Sequence, residues 1–230
     1  MAAGRVRRCG DCVMRAQGIL ASIPQPAFDR ISCCMTSYRF PARHHLFVEG
    51  NPSGQVAAIR SGYVKLFRVS EAARAHVMSV AGPGFFLGYE ALIGRPHEAT
   101  VETLTPVEVC MARTEELAAQ MKEFPEVATG LTAFLCQRIY DLETKAFQLG
   151  TLSTRARLAL HLLAYRPAPR AAGAFEPPAL SRQDLADMLG MAKETLIRQL
   201  AQLARRRLVH LAGNRISVLD AAALERFAAV

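Results

Sequence analysis

The chain has 230 residues, 51% of them apolar, which suffices for one large domain or two modest ones with hydrophobic cores. Its apolar runs are too short to span a bilayer and the N-terminus lacks a secretory apolar region, so we expect a cytoplasmic protein. The net charge of +8 and the pI near 9.5 favour a polyanionic partner such as nucleic acid, and no membrane partner is expected.

Six cysteines are present, and two of them, Cys9 and Cys12, form a Cys-x-x-Cys pair in an arginine-rich N-terminal segment. The other four are Cys33, Cys34, Cys110 and Cys136. Disulfide frameworks are rare in cytosolic proteins, so metal binding, redox chemistry or packing remain as roles for these thiols. The polar surroundings of Cys9 and Cys12 make packing the weakest explanation for that pair.

Short alternating segments separated by glycine turns run from about Phe40 to Val109. A hairpin is predicted with its bend at Ser61-Gly62, and later strands are interrupted at Gly82 and at Pro106. Several short strands at this spacing are typical of an antiparallel sandwich or barrel.

Two helices are predicted after the strands, one beginning at Thr114 and a longer one from Pro125 to Leu149. The longer segment carries apolar residues close to an a/d repeat over about three heptads. Such a stripe can be core, but its place between two apparent domains favours a paired dimer helix. The predicted dimer-interface residues are Val127, Leu131, Leu135, Ile139, Leu142 and Leu149.

The segment from Ser181 to Arg198 has the spacing of a helix-turn-helix motif. Ala186 is small where the two helices cross, and Gly190 occupies the turn, where a left-handed conformation is needed. Leucines before and after the turn recur at helical spacing and are predicted to face a core. Two short strands joined by a turn and a last helix follow, which together with the motif predict a winged helix.

Polar and charged side chains project from the two helices of this motif and suit base edges and phosphates. Arginine pairs with guanine, glutamate accepts a hydrogen bond from cytosine, and lysine reaches guanine or phosphate. The predicted DNA-contacting residues are Ser181, Arg182, Gln183, Lys193, Glu194, Thr195 and Arg198.

The β-rich N-terminal half, the long central helix and the C-terminal winged helix resemble the CRP/FNR family of bacterial transcription regulators. The likeness is sharpest over SRQDLADMLGMAKETLIR, which matches the family's helix-turn-helix without gaps. It implies an α+β protein with an N-terminal antiparallel β-roll, a jelly roll of the cyclic-nucleotide-binding type. The implied divisions are a sensory domain at 1–113, linking and dimerisation helices at 114–150 and a DNA-binding domain at 151–230. The resemblance also implies a homodimer that binds a two-fold symmetric DNA site and contacts RNA polymerase.

Individual positions depart from the family's two main branches. Glu194 and Arg198 match the family's base-contacting glutamate and arginine. Lys193 stands where the cAMP-responsive branch has arginine, and Ile197 stands where the FNR branch usually has serine. Ala192 is a poor N-cap for the second helix of the motif. Neither branch's DNA consensus is therefore transferred whole to this chain.

Cyclic nucleotide is the first effector to consider, because cAMP-binding members use a glutamate for the ribose and an arginine with a hydroxyl residue for the phosphate. In this chain Tyr89 stands at the glutamate position, and Glu98 and Ala99 stand at the other two. A carboxylate in place of the arginine repels a phosphate, and Arg95 is three residues out of register. The sequence therefore disfavours cAMP.

An iron–sulfur cluster is the second candidate. Oxygen-sensing members of the FNR type carry an N-terminal Cys-x-x-Cys, a third cysteine soon after and a fourth late in the sheet domain. Cys9, Cys12 and Cys110 match three of these positions, whereas Gly18 stands at the remaining one. Thiolates are the ligands that such clusters require, and Cys33 or Cys34 is the candidate for the fourth.

Other interpretations stay open for the effector. A thiol redox switch needs no metal, haem could be held by a loop histidine such as His97, and a constitutive DNA binder needs no effector. An enzyme is not expected, because the sequence has no His-x-His pair, no nucleophile elbow and no phosphate loop. The sequence thus predicts a dimeric DNA-binding regulator that responds to redox state or a diatomic gas.

Overall fold

The computed structural model describes residues 23–71, 73–166 and 174–228. Contacts within the chain divide it into two units, one ending at Tyr140 and the other beginning at Asp141. The division falls inside the long central helix, within the segment that the sequence assigns to linking and dimerisation. In the described part of the chain, no helix combines the length and the apolar character needed to cross a bilayer.

The strands of the first unit are short, as their closely spaced turn residues predict. They are β1 (Thr36–Phe40), β2 (His45–Phe47), β3 (Gln55–Ser61), β4 (Val64–Val69), β5 (Ala75–Ala81), β6 (Phe86–Leu87), β7 (Thr100–Thr103) and β8 (Val107–Arg113). Described strands form two four-stranded sheets in the orders β1-β8-β3-β6 and β2-β7-β4-β5, with every pairing antiparallel. Together with the helices, these sheets confirm the predicted α+β class.

The predicted hairpin at Ser61-Gly62 is wrong, because β3 and β4 lie in different sheets. Gly62 has a φ of +82°, and a Cβ at this position would overlap the carbonyl oxygen of Pro106. The connection therefore crosses between the sheets where two turns approach closely. Alternating segments on either side of a glycine turn do not distinguish a hairpin from such a crossing.

Helices of this unit pack against the β1-β8-β3-β6 sheet. They are α1 (Gln25–Cys34), α2 (Thr114–Glu123) and the long α3 (Pro125–Thr151), with a 3-10 turn at Tyr89–Ile93. Phe28 and Ile31 of α1 are buried in one cluster with Cys110 of β8 and with Val127 and Leu131 of α3. The beginning of α3 is thus part of the core of the first unit.

The second unit is a winged helix. Its elements are α4 (Thr154–Leu163), α5 (Arg182–Met188), α6 (Lys193–Arg205), β9 (Val209–Ala212), β10 (Arg215–Val218) and α7 (Ala221–Ala228). Strands β9 and β10 pair antiparallel, and an isolated bridge joins Phe175 to Val218 at the edge of the wing. Leucines from α4, α6 and α7 are fully buried in its core, namely Leu158, Leu162, Leu196, Leu200, Leu203 and Leu224.

The turn between α5 and α6 depends on Gly190, as predicted. Its φ is +60°, and a Cβ there would lie 3.0 Å from Arg157 Nη1 and 3.0 Å from Leu149 Cδ2. Gly213 in the wing turn has nearly the same φ of +58°, yet nothing lies within 4 Å of its would-be Cβ. A comparison of alanine substitutions at the two glycines therefore distinguishes the cost of backbone strain, which both share, from the cost of crowding, which only position 190 has.

We predict that Gly190→Ala destabilises the protein more than Gly213→Ala. Both alanines adopt a left-handed backbone, which costs about 1–2 kcal/mol. Only the alanine at 190 also crowds Arg157 and Leu149, which adds about 1 kcal/mol. Calorimetric unfolding of the full-length variants measures the difference, and equal losses of stability would show that crowding in the turn is unimportant.

Candidate nucleic-acid interface and effector-domain residues

The first helix of the motif, α5, begins at a side-chain cap. Ser181 Oγ accepts a hydrogen bond from the backbone N–H of Asp184 at 3.0 Å, as the sequence predicts for a helix start. Ala186 is fully buried, which permits the close crossing of α5 and α6. The N-cap of the second helix, α6, is Ala192, which makes no side-chain cap hydrogen bond.

Helix α6 has one buried and one exposed face. Leu196, Leu200 and Leu203 are buried in the core of the second unit. Lys193, Glu194 and Arg198 are exposed, and half-buried Thr195 accepts a weak 3.4 Å hydrogen bond from Arg198 Nη2. The three leucines fix the rotation of α6 about its axis, so the exposed face presents donors and acceptors suited to base edges.

Arg182 is half-buried and is bonded to the wing. Its guanidinium donates to the carbonyl oxygen of Gly213 at 2.7 Å and to that of Asn214 at 3.4 Å. Burial lowers the pKa of this guanidinium below its ordinary value. Gln183 is likewise engaged locally, since its Nε2 donates to Asp187 Oδ1 at 2.9 Å. Arg182 therefore orients the wing turn, a role that the spacing of the motif does not reveal.

A second set of bonds ties the wing to the segment before α5. Glu176 accepts from Ser217 Oγ at 2.7 Å and from Arg215 Nη2 at 2.6 Å. These hydrogen bonds, with that from Ser217 the strongest cause, hold the pKa of the Glu176 carboxyl below its usual range. Sequence reasoning missed Glu176, because the only local signal is its position after Phe175 in a proline-rich segment.

The buried histidine of the first unit makes polar, stacking and backbone contacts. His97 is 5% exposed, its Nδ1 lies 2.7 Å from Glu90 Oε1, and its ring stacks on Phe47 with the ring centroids 4.2 Å apart. Its backbone also bonds to the Gly50-Asn51 turn. These contacts give His97 a structural role in the loop and do not favour it as a haem ligand.

The positions that would contact a cyclic nucleotide carry other interactions. Glu98 is exposed and forms an ion pair with Arg95 at 3.2 Å. Tyr89 is half-buried, and burial raises the pKa of its hydroxyl. On α3, the Arg138 guanidinium lies 4.7 Å from the centre of the Phe85 ring. That cAMP is not the effector stays a prediction.

Only some of the candidate metal ligands lie in the described part of the chain. Cys9 and Cys12 lie outside the described residues, as does the side chain of Cys33. Cys110 is buried in an apolar cluster beneath α1, and half-buried Cys34 donates to the carbonyl oxygen of Ile31 at 3.2 Å. Among the described residues, no group of three or more His, Cys, Asp or Glu side chains could hold a metal ion.

The predicted dimer stripe divides along α3. Val127 and Leu131 are 1% and 5% exposed in the core of the first unit, so they are not available to a second chain. This corrects the prediction for those two residues, because an apolar repeat does not specify which surface covers it. Leu135 is half-buried, whereas Ile139, Leu142 and Leu149 are 56%, 50% and 41% exposed.

Two domain families match the chain. Residues 38–124 match the cyclic nucleotide-binding domain, and residues 156–227 match the Crp-like helix-turn-helix domain. The chain belongs to the CRP/FNR family of transcription regulators. It is therefore a DNA-binding regulator of transcription, and the proteins it matches are regulators rather than enzymes.

Relatives in the CRP/FNR family are similar over much of the chain. A CRP-like cAMP-activated global transcriptional regulator of Mycobacterium tuberculosis is 25% identical, over 94% of this chain and 98% of the relative. An anaerobic regulatory protein of Pasteurella multocida is 26% identical, over 78% of this chain and 67% of the relative. The structure of FixK2 from Bradyrhizobium japonicum matches with a TM-score of 0.72 and 25% identity, over 84% of this chain and 96% of that one.

We predict that Arg182→Lys and Arg182→Ala loosen the wing to a similar extent. A lysine keeps the charge but lacks the rigid planar fork whose two nitrogens donate to the two carbonyl oxygens, so about 1 kcal/mol of local stability is lost in both. Amide hydrogen exchange across β9 and β10 measures this loss. Wild-type exchange in the lysine variant would show that charge, not the bridge to the turn, is what matters at this position.

Proposed function

We propose that two copies of this chain bind a two-fold symmetric DNA site, with α6 of each copy in the major groove. The exposed row of charged side chains on α6, opposite its buried leucines, is the observation that carries the proposal. The two recognition helices would lie about 34 Å apart, one DNA turn, to contact adjacent half-sites. RNA polymerase remains a predicted partner.

Each side chain of the predicted interface has a role suited to its chemistry. Arg198 would pair with guanine, Glu194 would accept from a cytosine amine, and Lys193 would reach guanine or phosphate. Thr195 would contact a base edge or phosphate. The cap Ser181, the wing-bonded Arg182 and Gln183 lie at the start of α5, where backbone and side-chain donors meet phosphates in helix-turn-helix proteins.

We predict that Arg198→Ala weakens binding to the preferred site by about 1–3 kcal/mol and relaxes the preference at one base pair. Arg205→Ala is the matched control, since this exposed arginine lies at the opposite end of α6. Binding to a set of single-base variants of the selected site distinguishes the two. An equal loss on every sequence would assign Arg198 to phosphate rather than to guanine.

The exposed part of the α3 stripe supports the dimer. Ile139, Leu142 and Leu149 recur along one long helix and are each more than one-third exposed. Large apolar side chains in such a row are typical of a helix that pairs with a second copy.

We predict that Leu142→Asp shifts the protein from dimer to monomer, because it places a charge in the apolar seam. Ile93→Asp is the control, since Ile93 is 73% exposed on the 3-10 turn of the first unit. Sedimentation velocity at several concentrations gives the result. A Leu142→Asp protein that remains dimeric would assign the dimer to another surface.

We further propose that the first unit responds to redox state through its thiols. Cys110 lies beneath α1, and the Cys33-Cys34 pair ends that helix, so oxidation near this helix would alter the core that also contains the start of α3. The described thiols do not by themselves fit an iron–sulfur cluster, since such a ligand set needs Cys9 and Cys12 as well.

We predict that DNA affinity differs between protein kept anaerobic and reduced and protein exposed to air, and that Cys110→Ser removes the difference, because this thiol lies in the core beneath α1. Cys136→Ser, on the exposed face of α3, is the control. An absorption spectrum with iron and sulfide assays distinguishes an iron–sulfur cluster from a thiol switch as the origin of the difference. Air-bleached absorbance near 400 nm with iron and sulfide indicates a cluster. Iron-free protein that still responds indicates a thiol switch, and equal affinity in both states indicates a constitutive binder.

A further inference from the structure

An isoleucine interrupts the polar surface of α6. Ile197 is 48% exposed, although the other exposed side chains of this helix between Lys193 and Arg205 are charged. It lies outside the buried row of Leu196, Leu200 and Leu203. An isoleucine side chain also has no donor or acceptor with which to contact a phosphate or a polar base edge.

Helical spacing places Ile197 among the predicted base-contacting residues. It follows Lys193 by four residues and Glu194 by three, and it directly precedes Arg198. A helix inserted in the major groove with Glu194 and Arg198 at base edges therefore carries Ile197 into the groove as well. Its β-branched side chain has few rotamers in a helix, so it loses little conformational entropy on binding.

The major groove offers one apolar group to such a side chain, the C5 methyl of thymine. We propose that Ile197 is a specificity-determining residue that selects a thymine next to the guanine bound by Arg198, through contact with the thymine methyl. Any other base at that position leaves Ile197 against a polar edge without compensation. This inference rests on the proposed placement of α6 in the major groove.

The test compares thymine with uracil, which differ only in this methyl group. The preferred site is first selected from random duplexes with the full-length protein, and each thymine beside the Arg198-dependent guanine is then replaced by uracil. Loss of one buried methyl contact lowers affinity about fourfold, and replacement in both half-sites lowers it about fifteenfold.

Variants at Ile197 test whether this side chain causes the difference in affinity between thymine and uracil sites. Ile197→Ala is expected to bind the thymine site more weakly and to bind thymine and uracil sites equally, whereas Ile197→Val keeps the discrimination. Leu219→Ala is the matched control, since Leu219 is also 48% exposed but lies at the end of the wing, and it should retain the full uracil penalty. Thermal unfolding of each variant confirms that the fold is intact.

The outcomes separate this inference from the proposed function. Tolerance of uracil at every thymine by the wild-type protein, or an unchanged uracil penalty in Ile197→Ala, overturns the role of Ile197 while the role of Arg198 stands. If no sequence is selected, or if selection is independent of Arg198, the proposed placement of α6 fails and this inference fails with it. A uracil penalty that disappears only in Ile197→Ala supports it.

Discussion

The burial of three leucines along α6 orients the helix that we propose enters the DNA major groove. Leu196, Leu200 and Leu203 are almost completely removed from solvent, so any rotation of α6 about its axis would expose apolar surface, at roughly 25 cal/mol per Å². Lys193, Glu194 and Arg198 are consequently held on the opposite face. Because the core sets this orientation before DNA arrives, these side chains need little rearrangement to meet a major groove.

The wing is positioned by bonds that reach across the sequence. Arg182 at the start of α5 holds the wing turn, and Glu176 holds β10 through Arg215 and Ser217. Helix-turn-helix and wing are thus one bonded surface rather than two independent contacts. Arg182, which the sequence predicts as a DNA contact, therefore also holds the wing in place. A substitution of Arg182 changes both the position of the wing and any contact with DNA.

In the first unit, a single apolar cluster joins α1, the strand β8, which carries Cys110, and the first turns of α3. A chemical change at a thiol in this cluster would shift the position of α3, the helix proposed to pair with a second copy. Packed cores respond to such a change by moving between discrete arrangements. His97, held by Glu90 and Phe47, instead stabilises the loop near the strands.

The sequence by itself determined the local elements: the two motif helices, the left-handed Gly190, the wing and the long α3 follow from periodicity, capping and turn chemistry, which act over a few residues. Tertiary structure decided which surfaces those elements meet. Val127 and Leu131 continue the same apolar repeat as Ile139, yet they are buried in their own unit, and the connection from β3 to β4 crosses from one sheet to the other. Arg182 bonds to a turn 31 residues away. Such pairings depend on contacts between distant segments, which a local pattern of apolar and polar residues does not encode.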